Sequence, residues 1–161
     1  MKKQMLLLLT LVPIVAGYIR NATILIPGLG TFLYYVIPIA IAVFWFWLGQ
    51  QFARTDWKAI PAILLGNAAG MVSLMIYLWQ FVLESDEPGN LALASFSSMF
   101  SSAVSSVWMA RIAILLETEP NTIGMASTTG LTVISTLYLV LIFAVAVFLE
   151  KGRMKKEITD I

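Results

Sequence analysis

The chain has no cysteine and no histidine. Without them, disulfides, redox thiols and cysteine nucleophiles are impossible, and the usual ligands of zinc, haem and iron–sulfur sites are missing. Histidine, the most frequent general acid–base group, is unavailable as well. Charge is scarce: 12% of the residues are charged, about half the share of an ordinary soluble domain. Lys and Arg number 10 against 9 Asp and Glu. They form no clustered basic face of the kind nucleic-acid binding needs, so no nucleic-acid partner is expected. There is no Gly-x-Ser-x-Gly, no phosphate-binding loop and no pair of carboxylates within an apolar run. These absences argue against an enzyme, and no cofactor or metal is expected.

What is abundant is apolar surface. Of the 161 residues, 60% are hydrophobic, and the mean hydropathy is +0.89. A soluble domain of this size has too high a surface-to-volume ratio to hide so much. The lipid bilayer is the natural solvent, and no polar stretch is long enough for a soluble domain. One membrane domain over 1–161 is expected.

Five hydrophobic segments stand out, over about 5–26, 31–49, 59–83, 91–116 and 122–149. A helix needs roughly 20 apolar residues to cross a bilayer. Strand-type spans are excluded because no segment alternates polar with apolar residues. In the third segment Trp57 and Trp79 lie 22 positions apart, about 33 Å of helix axis, which matches two interfacial aromatic belts. Lys2 and Lys3 ahead of Met5–Ala16 imitate a signal peptide. Hydrophobicity resuming through Ile26 suits a retained anchor better. The expected fold is an all-α, polytopic helix bundle with four or five full crossings.

Charge sets the orientation but leaves a conflict. Lys and Arg in short loops concentrate on the cytoplasmic side. A cytoplasmic N-terminus puts Arg54 and Lys58 inside and the acidic turn Glu84–Asn90 outside, as for a multi-pass protein of the cell membrane. Five crossings would leave Lys151, Arg153, Lys155 and Lys156 outside, against the rule. If segment 91–116 enters and returns without crossing, the tail is inside. Segment length favours the first topology, and the count of basic residues favours the second.

Polar residues within the apolar runs are the candidate binding groups: Arg20, Asn21, Asn67, Ser98, Ser102 and Ser105. Segment four carries Ser97-Ser98, Ser101-Ser102 and Ser105-Ser106, pairs at a spacing of four, which form a slowly winding stripe on a helix. Such a stripe serves either as a packing face, where small residues let backbones approach, or as a hydroxyl-lined path for a polar solute. Gly66, Gly70 and Ser73 make a small-residue face in segment three, with Asn67 beside it. Gly124, Thr128, Gly130, Thr132, Ser135 and Thr136 extend the theme to segment five. An arginine at depth costs about 2.5–3.5 kcal/mol on insertion scales, so Arg20 is expected either to face the bundle interior, with Glu84, Asp86 or Glu87 as counter-ion, or to snorkel to the headgroups. Function is expected in one of two classes. The first is a transport-related component that binds or passes a small polar solute. The second is an accessory protein whose small-residue faces pack on a partner membrane protein or on a second copy.

Overall fold

The computed structural model describes residues 2–83, 90–117 and 123–159. They form seven α-helices: α1 Lys3–Leu9, α2 Val12–Thr23, α3 Leu29–Ala53, α4 Ala59–Leu78, α5 Leu91–Ser102, α6 Val107–Ile114 and α7 Met125–Thr159. A π-helical turn, Trp79–Leu83, continues α4. No strand occurs among the described residues. Four stretches are long and apolar enough to cross a membrane: Lys3–Thr23, Leu29–Ala53, Ala59–Leu83 and the helix from Met125. The protein is an all-α bundle built for a bilayer.

Local chemistry sets the breaks. Pro13 has no N–H to give the carbonyl four residues back, and the first span kinks there, with the Thr10 hydroxyl bonding the Leu7 carbonyl at 2.7 Å. Gly28 turns the chain into α3 with φ +75°, a conformation glycine adopts without strain. Gly30 then packs under the Thr23 and Ile24 carbonyls, where a Cβ would stand about 2.5 Å from the former.

The core is an aromatic cluster between α3, α5 and α7. Trp45 lies 5.7 Å from Phe100 and 5.6 Å from Phe143, and Phe52 lies 5.2 Å from Phe143. Gly66 and Gly70 of α4 are the sockets for these rings. A Cβ on Gly66 would collide with Phe143, and one on Gly70 with Phe100. The small-residue step of segment three therefore receives side chains rather than another backbone. Close backbone approaches are made instead by Gly17, against the Met99 carbonyl, and by Gly49, whose added Cβ would meet the Phe143 carbonyl at 2.9 Å.

Segment 91–116, read from the sequence as one helix, is two. Between α5 and α6 the chain opens over Ala103–Ser106, with Ser106 extended at φ −134° and ψ 165°. No proline or glycine lies there. The break comes from another helix: the Arg20 guanidinium donates to the Ser102 carbonyl, which in a continuous helix would accept from Ser106 N–H. The serines around it also bond their own backbone, Ser101 to Ser98 and Ser105 to Ser102, which competes with the helical ladder.

The two short helices make a re-entrant hairpin. At one end of the bundle Lys3 pairs with Asp56 at 2.7 Å, Arg54 with Glu150 at 2.8 Å, and Lys151 bonds the Ala53 carbonyl at 3.1 Å. At the opposite end Asn90 N–H bonds Gln80 at 3.0 Å, where α5 begins. From the break, α6 runs antiparallel to α7. Met109 meets Ser135 at 3.4 Å, Leu116 lies against Gly130, and Glu117 bonds Gly124 at 2.8 Å. Segment four thus enters and leaves at the same end. At 12 residues, α5 is only about 18 Å long, too short to cross. Both chain ends share the basic end, with eight of the ten Lys and Arg residues, so the charge conflict resolves in favour of four spans.

Three other boundaries differ from the sequence reading, and the first is α3, which runs over Leu29–Ala53 rather than 31–49. α7 continues to Thr159 rather than stopping near 149, because the polar turns after the apolar run keep helical geometry and Glu150 is held by Arg54. The first segment is α1 and α2 joined at a kink, ending at Thr23 instead of Ile26.

Candidate functional site

The re-entrant hairpin, α2, α4 and α7 surround a partly open cavity of about 310 Å³. It runs from Asn21, Phe81 and Thr128 near the end opposite the basic cluster towards Ser105 and Ser135 at mid-depth. Below it the Trp45–Phe100–Phe143 cluster fills the bundle.

Of the sequence candidates, Asn21, Ser98, Ser102 and Ser105 line this space together. Asn21 is exposed at its edge. Arg20 sits behind the wall, 4% exposed, donating to the Ser102 carbonyl and to Ser105 Oγ at 2.7 Å. Its guanidinium carbon lies 4.3 Å from the centre of the Tyr34 ring, a cation–π geometry. The carboxylates expected as its counter-ions, at 84, 86 and 87, lie outside the described residues. Arg20 Nε has no hydrogen-bond partner. Asn67 stands apart: it accepts from Trp45 Nε1 at 3.3 Å and donates to the Ile63 carbonyl at 2.9 Å. It ties α3 to α4 and does not line the cavity.

The serine stripe has two destinations. Ser98, Ser101, Ser102 and Ser105 line the cavity, whereas Ser106 lines a second space of about 340 Å³ beside Tyr34, Trp108 and Tyr138, and its hydroxyl is unpartnered. Phe100 and Val104, between the serines, point into the core, so this segment has no apolar face reserved for lipid at those positions.

Sequence reasoning missed Tyr77. It lines the cavity, is 3% exposed, and its hydroxyl has no hydrogen-bond partner. A tyrosine two residues before Trp79 reads as part of an interfacial belt, and nothing in one sequence turns it inward. Thr128, Thr132 and Ser135 had been legible only as a polar face of segment five. They complete the wall opposite α5.

The hairpin is fastened at its exit by Glu117. Its Oε1 accepts from Gly124 N–H at 2.8 Å and Ser127 N–H at 2.7 Å, at the start of α7, where free amides favour an anion. The Ser127 amide and hydroxyl, then the Gly124 amide, hold the Glu117 carboxyl below the ordinary carboxylate range. A carboxyl depressed in the folded state stabilises it above the unfolded-state value, and that contribution is lost as pH falls through the folded one. Thermal unfolding of Glu117→Gln should therefore differ from wild type at neutral pH and converge with it under acid conditions. A constant difference at every pH would mean that ionisation plays no part in this clasp.

No protein-family profile, curated protein or solved structure matches the chain. Fold and composition define the class, a polytopic α-helical membrane protein.

Proposed function

We propose that this is a non-enzymatic, multi-pass protein of the cell membrane, a transport-related component that binds a small polar solute in the cavity between the re-entrant hairpin and α7. The observation that carries this reading is the wall itself. Most residues lining the cavity bear a hydroxyl. Polar groups at membrane depth are expensive and face cavities or partners. A half-helix pair that ends at mid-depth is also how irregular backbone is tolerated there, where it lines such a space. The basic end, with both chain ends, is the cytoplasmic side by the distribution of Lys and Arg, so the cavity faces outward.

The chain has no cysteine, so single cysteines report directly. In intact cells an impermeant thiol reagent is expected to label Ser98→Cys but not Lys156→Cys, which should react only after lysis. Labelling of Lys156→Cys in intact cells would invert the orientation. If Ser98→Cys stays unreactive from both sides, the cavity holds no water and the solute reading falls. The accessory reading would then gain. It rests on the almost wholly apolar groove of about 690 Å³ beside Ala126, Thr129, Gly130 and Val133.

A further inference from the structure

The hydrogen-bonding polarity of the cavity wall defines which solutes it fits. Each serine or threonine hydroxyl has one proton to give and two lone pairs to receive. Along α5 the protons are already committed: Ser98 donates to Ser95 O at 2.8 Å, Ser101 to Ser98 O at 2.8 Å, Ser102 to Met99 O at 3.0 Å and Ser105 to Ser102 O at 3.2 Å. On α7, Thr128 donates to Gly124 O at 2.7 Å and Thr132 to Thr128 O at 3.0 Å. What these six hydroxyls offer an occupant is therefore lone pairs. An occupant must bring its own O–H or N–H groups.

Charge narrows the class further. Among the described residues no carboxylate lines the cavity, and the Arg20 guanidinium lies just behind Ser102 and Ser105. A cation would meet that positive charge with nothing on the wall to offset it. An anion would be drawn by that charge, but the six hydroxyls above present lone pairs to it and Arg20 itself is only 4% exposed behind the wall. A neutral molecule rich in hydroxyls satisfies both conditions. Ser98 and Ser102 stand roughly one helical turn apart, about 5.4 Å of rise, with Ser105 following in the break, so a linear ligand carrying several hydroxyls meets successive acceptors. A cavity of about 310 Å³ equals the liquid volume of about ten waters, room for a polyol of a few carbons.

Tyr77 supplies the independent sign of an occupant. Its hydroxyl is buried and has no partner in the protein, and the residue lines this cavity. Buried polar groups are almost always bonded to protein or to ordered water, and a cavity occupant can take the place of that water. Unlike those six hydroxyls, it has a free proton to donate and accepts as well. We infer that the cavity binds a small neutral polyol, with the hydroxyl oxygens of Ser98, Ser101, Ser102, Ser105, Thr128 and Thr132 accepting from it and Tyr77 donating to it.

The inference rests on the proposed solute-binding reading and fails separately from it. The test uses purified full-length protein and scintillation proximity binding of radiolabelled glycerol and xylitol, alongside methylammonium and nitrate. Polyol binding in preference to both ions is expected. Tyr77→Phe, which keeps the ring and deletes only the hydroxyl, should weaken it about five- to tenfold, the worth of one hydrogen bond, with an unchanged unfolding temperature. Preferential binding of methylammonium or nitrate would overturn the polyol assignment and leave a solute-binding protein. Polyol binding unaffected by Tyr77→Phe would overturn the role of the wall and mean that the Tyr77 hydroxyl meets water alone. If none of the four binds, both this inference and the solute reading fall.

Discussion

Gly17→Leu is expected to yield no monodisperse protein, and Gly17→Ala to destabilise the bundle strongly. Gly17 of α2 faces the Met99 carbonyl of α5 so closely that a Cβ placed there would overlap it, and the same Cβ would lie 2.7 Å from Ser102 Oγ. Overpacking a protein interior typically costs about 1–3 kcal/mol when side chains can shift. Here the obstacle is backbone, and α5 cannot retreat because Phe100 on its other side is seated in the Gly70 socket. A loss at or above the upper end, about 3 kcal/mol, is expected for alanine. Thermal unfolding in detergent with size-exclusion profiles would measure it. Gly152→Ala is the control, since nothing lies within 4 Å of a Cβ there. It should leave stability level or slightly raised, by up to about 1 kcal/mol. Wild-type unfolding in Gly17→Ala would mean that α2 and α5 are not held together at this point.

This contact shows why part of the fold was readable in the sequence and part was not. The long spans follow from runs of about 20 apolar residues, a property of each segment alone. The re-entrant break does not. Segment 91–116 contains no proline or glycine and is long enough to cross. It breaks because Arg20, more than 80 residues earlier, occupies the Ser102 carbonyl. Propensity and hydropathy describe a segment in isolation and are blind to a donor from another helix. The basic tail did carry a trace of the answer, since an even number of crossings returns Lys151–Lys156 to the side of Arg54 and Lys58. The site was readable to the same degree. Serines at a spacing of four marked one wall of the cavity, whereas Asn67, equally conspicuous in an apolar run, turned out to be bonded to Trp45 and Ile63. An asparagine in a span looks the same whether its partner is a ligand or a tryptophan one helix away.

Arg20→Ala is the second large effect, and its sign depends on a balance. The native arginine makes two hydrogen bonds, to Ser102 O and Ser105 Oγ. Bonds from a charged donor contribute about 1.5–3 kcal/mol each, and the stacking on Tyr34 about 0.5–2 kcal/mol. Against these stands the cost of placing a guanidinium at depth, roughly 2.5–3.5 kcal/mol. The gains exceed the cost through most of these ranges, so Arg20→Ala is expected to destabilise by about 2 kcal/mol. Arg20→Lys keeps the charge and its desolvation cost, and because one Arg20 nitrogen serves both acceptors an ammonium can replace those bonds, but it has no planar face to lie on Tyr34. It should fall below wild type, which a purely electrostatic role would not produce. The loss should also be local. With Ser102 O released, Ser106 N–H regains a helical acceptor, so hydrogen exchange at the Ala103–Ser106 break should change while that at Trp45 and Phe143 stays slow. Wild-type stability in Arg20→Ala, with unaltered exchange at the break, would show that the hairpin is shaped by the serine run itself and not by the arginine.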